Sequence, residues 1–330
     1  MRYIVYGAGA IGATIGAKLH QSGRQVALIA RGEHLERLRA DGLQLLGPDV
    51  DAQLQIPAFE SPAAADAQPG DVVVLAMKSQ DTKQALEELV AVDRSEQLVV
   101  VCAQNGVENE RVALRLFAHV YGMFVYLAAE HVRPGVVSAF SAPCVGVLDL
   151  GRVPRGADRA AEQISCDLND AGFSSRAAPE IVPWKYAKLL SNLANAIGAI
   201  LGPDAEEEDL VERARHEALL CYEAAGIAFV DRHEVNERTA VVSALRAVHG
   251  HEHSGSSSVQ SLQRGTGAIE TDYLNGEIVL LGRAHGVATP VNTALTHVAR
   301  RMARDGLQPG GLGQAVVKDE IACDAARAAV

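Results

Sequence analysis

Three polar side chains interrupt a segment that is otherwise apolar on nearly every side. Residues 183–201 read P-W-K-Y-A-K-L-L-S-N-L-A-N-A-I-G-A-I-L. A helix through them places Lys188, Asn192 and Asn195, at i, i+4 and i+7, on one face. Buried polar groups are costly without partners, so this stripe must meet neighbouring helices, water or a substrate. Lys185 falls nearer the exposed end on the same reading. Two more polar groups each follow a continuous apolar run. Lys78 follows residues 71–77 (D-V-V-V-L-A-M), and Gln104-Asn105-Gly106 follows residues 97–103 (Q-L-V-V-V-C-A). Runs of that kind mark parallel strands buried on both faces. Ligands of open α/β sheets bind outside the carboxyl ends of the strands. Lys78 and Asn105 are therefore expected beside the same ligand.

The nature of that ligand comes from residues 1–12, M-R-Y-I-V-Y-G-A-G-A-I-G. An apolar strand runs into G-x-G-x-x-G, and a small-residue helical pattern follows, which is the context a dinucleotide fingerprint requires. Gly7 allows the tight turn, Gly9 the approach of a pyrophosphate and Gly12 the packing of helix on strand. The backbone from Gly7 through Ala8, Gly9, Ala10 and Ile11 to Gly12 then presents a helix N-terminus to the phosphates. Residues 25–30 (Q-V-A-L-I-A) read as the second strand. Where an acid about 20 positions on would hold the ribose of NAD, the chain has Arg31, suited to a 2′-phosphate. The expected cofactor is NADP(H). Glu33, two residues later, leaves NAD open.

The elements that position these groups follow from periodicity. Residues 31–42 read as an amphipathic helix stopped by glycine, and 43–60 as short strands. Residues 121–151 look like hairpins extending the sheet, 156–172 like a helix and 173–177 like a last strand. Beyond Ala178 strand signals nearly vanish. The expected architecture is α/β: a Rossmann-type dinucleotide-binding domain over residues 1–178, followed by an all-α substrate domain over 179–330. Helices are expected over 211–225, 231–249 and 290–304, with an acidic cluster at 204–209. Glu270 sits among apolar residues at a helix start, where an acid also suits the helix dipole. The tail after Gly306 reads as peripheral.

The totals narrow the class. The chain has 330 residues, enough for two domains with cores. A net charge of −11, from 41 acidic and 30 basic residues, argues against nucleic-acid or anionic-membrane contact. Five scattered cysteines (102, 144, 166, 221, 323) fit reduced thiols in a cytoplasmic protein. No apolar stretch approaches a membrane span. His249, His251 and His253 alternate in a Gly/Ser-rich loop, but nothing completes a metal site there, and no metal is expected.

Taken in order, G-A-G-A-I-G (7–12), A-R-G-E-H-L (30–35), M-K-S-Q (77–80) and Q-N-G (104–106) form a series. It continues with W-K-Y-A-K-L-L-S-N (184–192), S-S-S-V-Q (256–260), E-T-D-Y-L-N-G (270–276) and G-V-A-T-P-V-N (286–292). In that order the chain resembles the ketopantoate reductase family, the 2-dehydropantoate 2-reductases. The resemblance covers nearly the whole chain. It implies reduction of a 2-keto acid by NADPH, with ketopantoate to pantoate in pantothenate synthesis as the family's best-known reaction. It places the catalytic lysine on Lys188 and substrate-binding residues on Ser258 and Glu270. It also assigns ligand contacts to Lys78, Asn105 and Asn192. Three places depart from the family pattern. Ala196 stands where a second asparagine is common, with Asn195 one residue early. Ser261 replaces an aspartate, and R-G-T-G at 264–267 is atypical.

On this resemblance, charge growing on the ketone oxygen needs a cation able to give a proton, which suits Lys188. Asn192, Ser258 and Lys78 are candidate donors to the substrate carboxylate, and Asn195 shares their helix face. Glu270 would accept from the product hydroxyl or orient Lys188. Lys78, Asn105 and Glu270 are expected near the cofactor as well. Two other readings stay open: an NADP-dependent dehydrogenase of the same layout acting on a different hydroxy acid, and a protein that binds NADPH without turnover. A homodimer is also compatible with the apolar second half.

Overall fold

The computed structural model describes residues 1–202, 208–242, 244–250, 252–265 and 267–328. His251, Thr266, the first part of the acidic cluster (204–207) and the side chain of Cys323 lie outside the described residues. Two compact units emerge. One comprises Met1–Gln104, Glu108–Lys185 and Val230–His253, the other Asn105–Val107, Tyr186–Phe229 and Ser254–Val330.

The first unit opens β1 (Arg2–Tyr6), α1 (Ala10–Gln21), β2 (Gln25–Ile29), α2 (Gly32–Ala40), β3 (Leu43–Gly47), β4 (Val50–Leu54) and β5 (Ala58–Phe59). It continues with β6 (Val72–Leu75), α3 (Thr82–Val90), β7 (Val99–Cys102), α4 (Glu108–Ala113) and β8 (Val120–Tyr126). Then come β9 (Ala129–Arg133), β10 (Val136–Ala139), β11 (Val147–Arg152), α5 (Arg159–Asp170) and the start of α6 (Ile181–Asn192). The main sheet runs β11-β8-β7-β6-β1-β2-β5. Its strands from β5 to β8 pair in parallel, and β11 alone pairs antiparallel, with β8. All four residues of β6 are buried, as an uninterrupted V-V-V-L run requires.

The hairpins expected to extend this sheet divide instead. β8 and β11 join it, while β9 and β10 build a second sheet, β4-β3-β10-β9. The reason lies in α1, A-I-G-A-T-I-G-A-K-L-H-Q, which is buried from Gly12 through Ala17 and again at Leu19. A helix so apolar must be covered on more than one side. It packs on β1 and β2 and also on β3, β9 and β10. Residues 173–177 form no strand and meet β11 through two isolated bridges, Val147 to Ser174 and Leu150 to Ala177.

The boundary expected after residue 178 is displaced, because α6 begins in the first unit and the chain leaves it after Lys185. Residues 230–253 then return to that unit. Within them the helix expected over 231–249 is only α9 (Arg232–Thr239), capped by the Asp231 side chain. Arg238 anchors the return. Its Nε donates to Asp149 Oδ2 at 2.8 Å and its Nη2 to Oδ1 at 2.5 Å. Asp149 is fully buried and also pairs with Arg176, and a buried carboxylate is tolerable only with such partners.

The second unit is helical: α7 (Ala194–Leu201), α8 (Glu208–Ala225), α10 (Ser257–Gln263), a 3₁₀ turn (Glu270–Tyr273), α11 (Asn275–His285), α12 (Pro290–Arg304) and α13 (Gln314–Ala328). The helix expected through 183–201 is broken at Leu193, which keeps helical dihedrals. The Leu193 carbonyl accepts from Asn275 Nδ2. Asn275 also donates to Asn292, which donates in turn to Glu217. The tail is not peripheral, because α13 packs along α12 with Val317 fully buried in the helical core. Cys102, Cys144, Cys166 and Cys221 are free thiols. Among the described residues no helix is long and apolar enough to cross a membrane.

Glu217 fixes the start of α12 by accepting from Val291 N (2.8 Å), Asn292 N (3.0 Å) and Asn292 Nδ2 (2.7 Å). Burial pushes its carboxyl pKa up, against those bonds. Glu217→Ala is expected to destabilise the fold by about 3 kcal/mol in urea unfolding, because three buried donors lose a charged acceptor. Glu217→Gln, which keeps one acceptor oxygen, should cost less.

Candidate active site

The glycine loop is shaped by close approach. Gly7 has φ +96°, and a Cβ there would stand 2.5 Å from the amide nitrogen of Met77. A Cβ on Gly12 would stand 2.2 Å from the Gly7 carbonyl oxygen. At Gly9, by contrast, a Cβ would meet nothing within 4 Å. The outer glycines are forced by packing, and the middle one borders open space. Gly9 is the N-cap of α1, which has no side-chain cap and no acidic residue in its first turn. Its positive end is thus open to an anion. Ala10, Ile11 and Gly12 supply the first helical N–H groups. Gly7 and Ala8 do not share that role, since both donate to the Ile29 carbonyl. Arg31 follows β2, three-quarters exposed, with Nη2 3.2 Å from Asp81 Oδ2. An open helix N-terminus and an exposed guanidinium fit a phosphorylated dinucleotide.

Lys78 is half-buried at the carboxyl end of β6. A polar chain missed in the sequence holds this strand end. Gln104 Nε2 donates to the Met77 carbonyl (2.9 Å) and to Thr82 Oγ1 (2.7 Å). Thr82 donates to Asn109 Oδ1 (2.8 Å), and Asn109 Nδ2 donates to Ser79 Oγ (3.0 Å). The signal available was a run of amides and hydroxyls flanking both strand ends.

Lys185 overturns its expected exposure. Only 4% exposed, it lies 2.5 Å from Glu110 Oε1 and donates to the Gln104 carbonyl at 2.9 Å. Its stem lies against Gly122, where a Cβ would stand 3.1 Å from Lys185 Cδ, and so buried an ammonium needs an ionic partner. Its helical spacing gave no hint of Glu110, which lies far off in sequence.

The remaining candidates lie in the helical unit. Asn105–Val107 belongs to it, with Val107 in its core. Gly106, at φ +78°, sits so close to the 3₁₀ turn that a Cβ would stand 2.9 Å from the Tyr273 carbonyl oxygen. The half-buried Asn105 is thereby set beside the turn that opens with Glu270, which is buried. Lys188 is half-buried as a residue, yet burial of its ammonium group lowers its pKa to about 8. Asn192 and Ser258 are 5% and 1% exposed. Asn192 Nδ2 and Ser258 Oγ are buried without a hydrogen-bond partner, as are Ser257 Oγ and Thr271 Oγ1. Native structures rarely leave such groups unpaired unless a ligand or water completes them. Asn195 is half-buried on α7, past the break at Leu193. Ala196 is a core residue. His249 approaches Asp51 and His253 packs edge-on to Phe140. No metal-binding cluster occurs among the described residues.

A largely parallel sheet with a glycine-fingered first turn, followed in the chain by a helical unit carrying a half-buried lysine and unsatisfied polar groups, is the layout of a nicotinamide-dependent oxidoreductase. The profile described as "Ketopantoate reductase PanE/ApbA" matches residues 3–152, and that of its C-terminal domain matches residues 180–303. The chain belongs to the ketopantoate reductase family, NADPH-dependent oxidoreductases that act on a CH–OH group. The 2-dehydropantoate 2-reductase of Halobacterium salinarum is 30% identical over 93% of this chain and 100% of its own. That of Archaeoglobus fulgidus is 31% identical over 91% and 97%. A crystal structure of a PanE/ApbA family ketopantoate reductase from Ralstonia eutropha superposes with a TM-score of 0.76 at 27% identity, covering 93% of this chain and 99% of that one. A D-mandelate dehydrogenase solved with NADH and anilino(oxo)acetate shares the fold, with a TM-score of 0.80 at 23% identity over 93% and 99%.

The different surroundings of the glycines separate binding from folding. Gly9→Val, entering open space, is expected to leave the melting temperature unchanged and weaken NADPH binding by at least about tenfold. Gly12→Ala meets backbone and should lower the melting temperature as well. Thermal melts beside cofactor titrations read both.

Proposed function

We propose that the chain reduces a 2-keto acid to its 2-hydroxy acid with NADPH, with ketopantoate as the favoured substrate and pantothenate synthesis as the setting. The observation that carries this reading is the pairing, within the helical unit, of a lysine whose pKa is lowered to about 8 with buried polar atoms that lack partners. When bound, the nicotinamide supplies the hydride. Lys188 holds the negative charge that grows on the ketone oxygen and gives it a proton. With a pKa near 8 it is mostly charged at neutral pH yet acidic enough to transfer. Asn192 Nδ2 and Ser258 Oγ offer donors to the substrate carboxylate, and Lys78, Asn105 and Asn195 are further candidate ligand contacts. Glu270 accepts from the product hydroxyl or orients Lys188. Arg31 takes the 2′-phosphate, and Ala10, Ile11 and Gly12 take the pyrophosphate. Ala196, in place of the family's common asparagine, removes one donor and is the strongest reason to test other 2-keto acids.

Lys188→Gln is expected to lower kcat for ketopantoate reduction by about 10²- to 10⁴-fold while NADPH affinity persists. An unchanged kcat would remove Lys188 from the chemistry. In the unmodified enzyme the reactive form is the protonated lysine. For reduction, kcat/KM should therefore be level below pH 8 and fall as pH rises through about 8. Arg31→Ala should raise KM for NADPH by about tenfold and leave that for NADH unchanged. In a panel of 2-keto acids, turnover of another acid but not ketopantoate would move the reading to a relative with a reshaped pocket. Tight NADPH binding with no turnover of any would favour a sensor.

A further inference from the structure

His34, on α2, lies three residues past Arg31 and points inward. Its Nε2 is 2.7 Å from the Ala8 carbonyl oxygen. Its Nδ1 receives the Gly135 amide at 2.9 Å and lies 3.2 Å from His131 Nε2. The rings of His34 and His131 meet edge to face, with centroids 4.5 Å apart. A carbonyl only accepts and an amide N–H only donates, so His34 carries its proton on Nε2 and accepts at Nδ1. This is the neutral tautomer, and burial lowers the pKa of His34 in the same direction.

The bond to Ala8 has a consequence for Gly9. Ala8 C=O and Gly9 N–H belong to one planar peptide, and the described cis bonds lie elsewhere, at Pro143 and Pro154. In a trans peptide the carbonyl and the N–H point in opposite directions. Fixing the Ala8 carbonyl toward His34 therefore fixes Gly9 N–H away from it. Gly9 is the glycine bordered by open space. The preceding peptide is held separately, since Ala8 N donates to the Ile29 carbonyl.

We infer that His34 is a positioning residue for the cofactor: braced by the turn between β9 and β10, it aims the Gly9 amide at the pyrophosphate. The inference rests on reading Gly7–Gly12 as the dinucleotide site. It also gives the second sheet a role, since that sheet supplies both Gly135 and His131.

Three variants separate the two bonds. Gln places an amide nitrogen where Nε2 stands and can still donate to Ala8. Asn places an amide oxygen where Nδ1 stands and can only accept from Gly135. Ala keeps neither. NADPH dissociation constants from nicotinamide fluorescence, melting temperatures without cofactor and kcat at saturating NADPH are measured for each. His34→Ala should raise the dissociation constant and KM for NADPH by about tenfold with kcat unchanged. His34→Gln should restore affinity. His34→Asn should recover the melting temperature but not the affinity. Unchanged NADPH affinity in His34→Ala would overturn the inference alone. So would losses of affinity that follow melting temperature across all three variants, since that is a purely structural role. An unmodified protein that does not bind NADPH would overturn the dinucleotide reading, and this inference with it.

Discussion

Where α1 leaves the first strand, Gly7 and Gly12 have no room for a side chain. The Gly7 carbonyl would stand 2.2 Å from any Cβ at Gly12, and the Met77 amide 2.5 Å from any Cβ at Gly7. These are backbone contacts, which cannot yield as a side chain can. They bring the loops after β1 and β6 together and start α1 directly above them. Much of the first unit follows. α1 is driven so deep that it needs a second sheet on its far side. Arg31 and Lys78 leave the sheet from strands on either side of β1, because β1 pairs with both β2 and β6. The first turn of α1 keeps its N–H groups free of side-chain caps. One packing constraint thus serves architecture and ligand binding together.

Polar groups in the interior fall into two populations. Asp149 with its arginines and Glu217 with the start of α12 are satisfied within the protein, Lys185 is ion-paired with Glu110, and the chain from Gln104 to Ser79 leaves Gln104 Oε1 without a hydrogen bond. They hold elements in place. Asn192 Nδ2 and Ser258 Oγ are buried with no partner. Desolvation without a hydrogen bond costs free energy that folding alone does not return. The helical unit is built to keep these groups in place nonetheless. The Leu193 carbonyl is taken up by Asn275, so the break beside Asn192 is itself held.

This distinction explains why some residues could be read in advance and others could not. Lys185 and Lys188 sit three positions apart on one apolar helix, and periodicity alone ranks the first as peripheral. Its partner Glu110 stands 75 positions upstream, beyond the reach of helical spacing, and makes it a buried ion pair. His34 lies in the same short motif as Arg31 and Glu33, where nothing local gives it a role. Its braces at 131 and 135 are about a hundred residues away. The return of residues 230–253 to the first unit depends on Arg238 meeting Asp149, 89 positions apart. None of these pairings leaves a local pattern.

By itself the sequence determined the nucleotide fold's first turn, the buried parallel strands, the change from mixed to helical structure and the residue types at the candidate site. These depend on short-range rules: glycine where backbones touch, unbroken apolar runs where both faces are covered, and i, i+4 spacing on a helix. Tertiary structure alone decided that β9 and β10 leave the main sheet, that the chain crosses units inside α6, that the tail packs as α13, and which buried polar groups find partners within the protein and which do not. The reason is that satisfaction of a buried donor or charge is a property of its neighbours in space. Those neighbours are brought together only when the whole chain has folded.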